Sequence, residues 1–279
     1  MSTRPLAGPA PAALRFHPLR DSVTMLRRNL RRMVRYPSMT VLLVGMPVVF
    51  LLLFVYVFGG ALGAGLGGPV HDGAADARAG YVDYVAPAII LMTVTATVQG
   101  TAISIAMDMT EGVIARFRTM HIARVSVLTG HVLGSVIQAA ISLVIVIGVA
   151  LLVGFRPAAG PAGWLATAGF LVAVTFALVW LSVALGQVST SVETASNLPM
   201  PLMLLPFLGS GFVPTDSMPA GLRWFAEHQP FTPIIETLRG LLMDQPVGNN
   251  GWIALVWCAV IGLGGYLWSK WLFNREASR

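Results

Sequence analysis

Residues 84–107 read YVAPAIILMTVTATVQGTAISIAM and contain no charged side chain. A helix needs about 20 predominantly apolar residues to cross the roughly 30 Å of hydrocarbon in a bilayer, and this stretch is long enough. Five more stretches of this kind occur among the 279 residues. The sequence therefore predicts an all-α polytopic membrane protein with six transmembrane helices, at 39–60, 84–107, 125–155, 164–188, 198–213 and 251–270.

The composition agrees with a membrane domain. The chain is 56% hydrophobic and 11% charged, with a mean hydropathy of +0.75, values that exclude a water-soluble domain. We expect one transmembrane domain over residues 19–279, preceded by a flexible tail at 1–18. The predicted fifth span is short and contains three prolines, Pro199, Pro201 and Pro206.

The basic residues predict the orientation. Fourteen of the 18 Arg and Lys side chains lie in the N-terminal arm, the loop after the second span and the C-terminus. Basic residues near span ends stay in the cytoplasm, so both termini are expected to be cytoplasmic. Because these residues cluster beside the first span, we expect them to bind anionic lipids and not nucleic acid.

The arm at residues 19–36 has the pattern of an amphipathic helix. Val23, Leu26, Leu30, Met33 and Val34 share one face at helical spacing, and the arginines occupy the adjoining face. Such a helix lies in the membrane interface. The alternative is that the arginines only set the topology. The residues singled out for the interfacial helix are Leu26, Arg27, Leu30, Arg31, Met33 and Arg35.

The loop after the second span is predicted to dock a soluble partner. Asp108 and Glu111 near its start and three arginines further on would complement the dipole of a short helix. Val113, Ile114 and Phe117 would project from that helix as an apolar patch suited to a groove on another protein. An ordinary solvated turn is the alternative.

Two motifs carry a family resemblance. The first is Glu111-Gly112, followed after three intervening residues by Arg116-Phe117-Arg118-Thr119, directly after the second span. The second is GFVPTDSMP at 211–219, followed by FAEHQPFTPIIETLRG at 225–240. In this order the motifs resemble the ABC-2 type permeases, closest to the daunorubicin-resistance (DrrB-like) branch. Where relatives usually have proline after the Arg-Phe-Arg stretch, this chain has His121.

The resemblance implies one half of an exporter in the bacterial inner membrane. It implies a dimer with a second permease copy or a sister permease, and a separate cytoplasmic ABC ATPase that binds ATP and Mg. It also implies re-entrant helices near the outer face between spans 5 and 6. The ATPase-coupling loop would consist of Glu111, Gly112, Val113, Arg116, Phe117 and Arg118.

The sequence supports the need for a partner. A P-loop requires a lysine that reaches the phosphates, and the one lysine, Lys270, lies in Trp-Ser-Lys-Trp at the end of the last span. No metal or cofactor site is expected, since Cys258 is the one cysteine. An ion-coupled carrier or channel and a membrane-embedded enzyme are the other classes. Both classes need clusters of ionisable residues within the spans, and this sequence has none.

Two sets of polar residues are candidates for contact with substrate. A stripe along the second span and residues of the outer hairpin could line the pathway, or could serve only in helix packing and in pinning the hairpin. We expect His131 to be a satisfied packing residue. A hydrophobic drug is the first choice of substrate and a lipid the second. The stripe is Thr93, Thr97, Thr101 and Ser104, and the hairpin set is Glu227, His228, Glu236 and Arg239.

Overall fold

The computed structural model describes residues 26–27, 31, 35, 37–64, 73–111 and 124–276. This part of the chain is helical and contains no strand, in agreement with the predicted all-α class. The helices are α1 (Pro37–Leu52), a π-helical segment (Leu53–Phe58), α2 (Gly59–Ala64), α3 (Gly73–Thr110), α4 (Arg124–Val153), α5 (Pro161–Val188), α6 (Val192–Asn197), α7 (Met200–Leu204), a 3₁₀ turn (Thr215–Ser217), α8 (Ala220–His228), α9 (Phe231–Leu242) and α10 (Asn250–Glu276).

Five helices of the described residues are long and apolar enough to cross a bilayer. They are the continuous helix α1–α2, then α3, α4, α5 and α10, and they correspond to five of the six predicted spans. The sixth predicted span, at 198–213, is not confirmed as a transmembrane helix. That stretch holds only the five residues of α7 and a series of turns, because Pro199, Pro201 and Pro206 remove backbone donors and prevent a regular helix.

The connection between α4 and α5 shows how local sequence ends these helices. Gly154 has φ +120°, a conformation that favours glycine, and it terminates α4. The backbone N–H of Arg156 then donates to Asp83 Oδ1 of α3 at 2.9 Å. Pro161 begins α5 at a position where its missing N–H costs nothing. The turn is therefore tied to the start of α3.

Helix α3 is the centre of the fold. It packs against α1, α2, α4, α5, α6 and α9. Within the chain, 83% of its most apolar stretch is buried, against 17% for α10. The faces of α1, α4 and α10 that point away from α3 expose large aliphatic side chains, as a lipid-facing surface requires. We call the end of the bundle that carries α8 and α9 the hairpin end, and the end at Thr110–Arg124 the loop end.

Residues 192–213, which we call the broken segment, run along α3. Gln99 Nε2 donates to Ser196 O at 2.8 Å, near the loop end. The hydroxyl of Tyr84 donates to Ser210 O at 2.9 Å, and that of Tyr81 to Phe212 O at 3.3 Å, near the hairpin end. Tyr81 and Gln99 are 18 residues apart, which in an α-helix is about 27 Å. Side chains of α3 thus donate to backbone carbonyls of the broken segment over almost the thickness of a bilayer core.

Aromatic packing holds the broken segment against the first span. Phe207 and Phe212 stack with ring centroids 4.5 Å apart, and Phe54 of the π-helical segment lies 4.3 Å from Phe212. Phe50 contacts Phe207 at 5.5 Å in an edge-on arrangement. Each such pair contributes about 0.5–1.5 kcal/mol beyond its burial. The π-helical turn therefore forms part of the surface on which the broken segment rests.

A glycine pair in α10 gives a first testable prediction. A Cβ on Gly265 would lie 2.5 Å from Leu181 N, on the backbone of α5, whereas a Cβ on the adjacent Gly264 would meet nothing within 4 Å. Gly265→Ala is expected to destabilise the protein by about 1–3 kcal/mol through overpacking. Gly264→Ala should be neutral or stabilising, because alanine favours the helix. Thermal unfolding in detergent compares the two; equal midpoints would refute the close approach of α5 and α10.

Candidate functional site

The predicted coupling loop begins at the loop end of α3. Glu111 directly follows α3, its side chain is exposed, and its backbone N–H donates to Met107 O at 2.9 Å. Glu111 is thus placed where a soluble partner can reach it. The loop residues that lie outside the described part of the chain are Gly112, Val113, Arg116, Phe117 and Arg118.

Part of the predicted interfacial arm is described. Arg27, Arg31 and Arg35 are helical and exposed, and their spacing of four residues places them on one face of a helix. Leu26 is helical and partly buried. Leu30 and Met33 lie outside the described residues. The interfacial position of the arm stays a prediction.

A buried polar pair joins α3 to α4 near the loop end. The sequence predicts Asp108 near the start of the loop, but it lies within the last turn of α3 and is 1% exposed. Its Oδ2 lies 3.0 Å from Nε2 of His131 in α4, which is 5% exposed. His131 is buried, as a packing residue should be, yet its partner is a carboxylate. Asp108 lies four residues after Ser104 and so continues the polar stripe of α3. This spacing is the signal in the sequence that places Asp108 on the buried face of α3.

The threonine stripe of α3 is buried inside the chain. Thr93, Thr97 and Thr101 donate to carbonyls one turn earlier in α3, at 2.9, 3.1 and 2.9 Å. Thr101 Oγ1 also lies 2.8 Å from Ser135 Oγ of α4. Ser104 is partly buried. The bond to Ser135 joins α3 to α4, while both helix packing and pathway lining stay predictions for the stripe as a whole.

At the hairpin end Arg239 joins three elements. It is 12% exposed, and its Nη1 donates to Glu236 Oε1 at 2.6 Å within α9. Its Nη2 donates to Tyr84 O of α3 at 3.1 Å and to Ser210 O of the broken segment at 2.9 Å. The guanidinium also lies over the Tyr84 ring, 3.9 Å from the centroid. We call this group the Arg239 cluster; it fixes α9 against α3.

The other two predicted hairpin residues lie in α8, away from the Arg239 cluster. Glu227 pairs with Arg223 at 2.7 Å, and Arg223 also contacts Asp216 at 2.7 Å, all at exposed positions. The hydrogen bond to Glu227 is the main cause that raises the pKa of Arg223, and the charge of Asp216 is the next largest. His228 Nδ1 lies 2.7 Å from Trp224 O, and its ring stacks on the Trp224 indole. These contacts stabilise α8 itself.

An apolar cavity of about 440 Å³ opens between α5 and α10. Phe176, Trp180, Cys258, Gly262 and Tyr266 are among the residues that line it. Its almost wholly apolar wall can hold apolar surface but offers little to orient a polar group. Among the described residues, no three His, Cys, Asp or Glu side chains come close enough to hold a metal ion.

Comparison with known proteins identifies the family. Residues 21–243, well over half of the chain, match the ABC-2 type transporter family. Daunorubicin resistance ABC transporter permease protein DrrB1 of Streptomyces coeruleorubidus is 29% identical over 246 residues, covering 87% of this chain and 81% of that protein. Probable doxorubicin resistance ABC transporter permease protein DrrC, from two strains of Mycobacterium tuberculosis, is 27% identical over 162 residues, covering 57% of this chain and 58% of that protein.

The match extends over the arm, the loop, the broken segment and the hairpin end, as the sequence resemblance predicts. The family and the five apolar helices make this a multi-pass protein of the bacterial cell membrane. The chain belongs to the ABC-2 type transporter family and is the membrane permease subunit of an ATP-binding cassette exporter.

Proposed function

We propose that this permease exports a hydrophobic or amphipathic drug and is powered by a separate cytoplasmic ATPase. The relatives named for daunorubicin and doxorubicin resistance carry the substrate proposal. Both names refer to planar amphipathic compounds, which suit a membrane domain whose polar groups are mainly hydroxyls and backbone carbonyls. A lipid is the second candidate substrate, and the apolar cavity between α5 and α10 is the feature that favours it.

The ATPase is proposed to bind at the loop end. Glu111 stands exposed there, and the exposed arginines Arg27, Arg31 and Arg35 form a basic face on the arm that precedes α1. We propose that residues 111–120 dock in a groove of the ATPase and that the arm lies on anionic lipid beside it. The ATPase supplies the sites for ATP and Mg. Closure of two ATPase subunits then displaces the two loops of a permease dimer, and the spans rock as rigid bodies.

The membrane topology follows from the same proposal. The broken segment is proposed to be the sixth crossing, since α3 holds it over about 27 Å of depth. With six crossings both termini lie in the cytoplasm, and α8 and α9 lie at the outer face. We propose that α9 is re-entrant, because its buried residues Phe231, Ile235 and Leu238 pack on the transmembrane helices although its twelve residues are too few to span.

Drug accumulation in cells tests the substrate proposal. Bacteria that express this chain with its partner ATPase are expected to accumulate several-fold less fluorescent daunorubicin than cells with an ATPase whose P-loop lysine is substituted. Efflux that is abolished by an uncoupler but persists with the inactive ATPase would instead indicate an ion-coupled carrier. Equal accumulation in both strains, with export of a labelled lipid, would replace the drug by a lipid.

A further inference from the structure

The contact between Asp108 and His131 joins the two helices that flank the predicted coupling loop. Asp108 lies three residues before Glu111, and His131 lies seven residues after Arg124, where α4 begins. Their side chains meet at 3.0 Å, and both are almost completely buried. Burying a carboxylate beside an imidazole costs desolvation energy that an apolar pair of similar volume would not. A purely structural contact between two helices therefore does not need this pair.

A second polar contact lies on the same faces. Thr101 precedes Asp108 by seven residues on α3, and Ser135 follows His131 by four on α4, so both spacings return to one helix face. Thr101 and Ser135 meet at 2.8 Å. One hydrogen bond and one close polar contact along the same seam oppose sliding of α3 along α4, whereas apolar packing alone is non-directional.

We propose that the Asp108–His131 pair is a brace that makes α3 and α4 move together when the coupling loop is displaced. This proposal rests on the proposed function, because it requires an ATPase that moves the loop. Without the pair, displacement of the loop is expected to slide α3 against α4 instead of tilting both. The two side chains are positioning residues: they act on the helices and do not touch substrate or nucleotide.

Paired apolar variants test the brace. Asp108→Leu together with His131→Leu replaces both members of the contact at once by apolar side chains, so the protein is expected to fold and to assemble with the ATPase. Transport per ATP hydrolysed, measured with the purified complex in proteoliposomes, is expected to fall at least about fivefold. Asp108→Asn keeps the shape and the polarity of the side chain beside His131 and should preserve most of the ratio.

Ser142→Ala is the matched control. Ser142 lies on α4, seven residues after Ser135, and its buried hydroxyl has no hydrogen-bond partner in the part of the chain that the structure describes. Its loss should leave transport per ATP unchanged. If the double-leucine variant transports as much per ATP hydrolysed as the wild type, the brace is overturned. It is also overturned if the variant lowers only the yield of assembled complex and leaves that ratio unchanged. A wild-type complex without ATP-driven transport would instead reject the proposed function, and the brace with it.

Discussion

Replacing Glu111 or Arg116 by alanine is expected to lower ATP-driven transport at least about tenfold, the loss typical of removing one charged group from the centre of a protein interface. Glu111 is exposed at the end of α3, where its carboxylate can meet a partner, and its backbone already continues the helix. Neither substitution removes a buried group that the structure shows, so the permease should still fold. The measurement is drug transport and stimulated ATPase activity of the reconstituted complex.

Glu193→Gln is the matched control for the loop variants. Glu193 is an exposed acid in α6, which follows the loop-end terminus of α5 and lies outside the predicted loop. The exchange keeps the shape of the side chain and removes only its charge. Transport should remain at the wild-type level. Should the Glu111 and Arg116 variants also transport normally, residues 111–120 are not the coupling loop.

Arg239→Met is expected to lower the free energy of unfolding by about 3 kcal/mol, and the midpoint of thermal unfolding by about 6–12 °C. The guanidinium is largely buried and bonds to Tyr84 O, Ser210 O and Glu236 at once. Methionine fills a similar volume but removes the donor to Glu236 and to both carbonyls, of which Ser210 O keeps only the hydroxyl of Tyr84. The contacts between α9, α3 and the broken segment should loosen together.

Arg223→Met provides the comparison at the same end of the bundle. Arg223 also pairs with two carboxylates, Asp216 and Glu227, but all three side chains are exposed to solvent. Exposed ion pairs contribute little to stability, so the unfolding midpoint should hardly change. Equal shifts for the two variants would show that the Arg239 cluster does not fix α9 against α3.

Five of the six predicted spans match long apolar helices of the described residues, because long uncharged stretches leave few alternatives to a transmembrane helix. The span at residues 198–213 is not confirmed as a helix: its apolar composition suits a span, but the stretch is short and contains three prolines. What holds that stretch is distant in sequence: Gln99, Tyr84 and Tyr81 of α3 bond to its carbonyls. Periodicity within the stretch carries no information about these partners.

At the polar sites, too, the sequence pattern does not reveal partners that are distant in sequence. Glu236 and Arg239 are predicted for the outer hairpin, and their proximity follows from their spacing on one helix. The bonds of Arg239 to α3 and to the broken segment cannot be derived from that spacing. Asp108 and His131 lie 23 positions apart, and only the packing of α3 on α4 brings them together. The position of Asp108 on the stripe face could be predicted, whereas its partner could not.

Transport into sealed proteoliposomes tests the central claim most directly, namely that this membrane domain has no power source of its own. Vesicles that contain the purified permease with its ATPase should accumulate daunorubicin against its gradient when ATP is supplied on the ATPase side. Vesicles with the permease alone, or with an ATPase whose P-loop lysine is substituted, should only equilibrate it. Uphill accumulation by the permease alone would contradict the account.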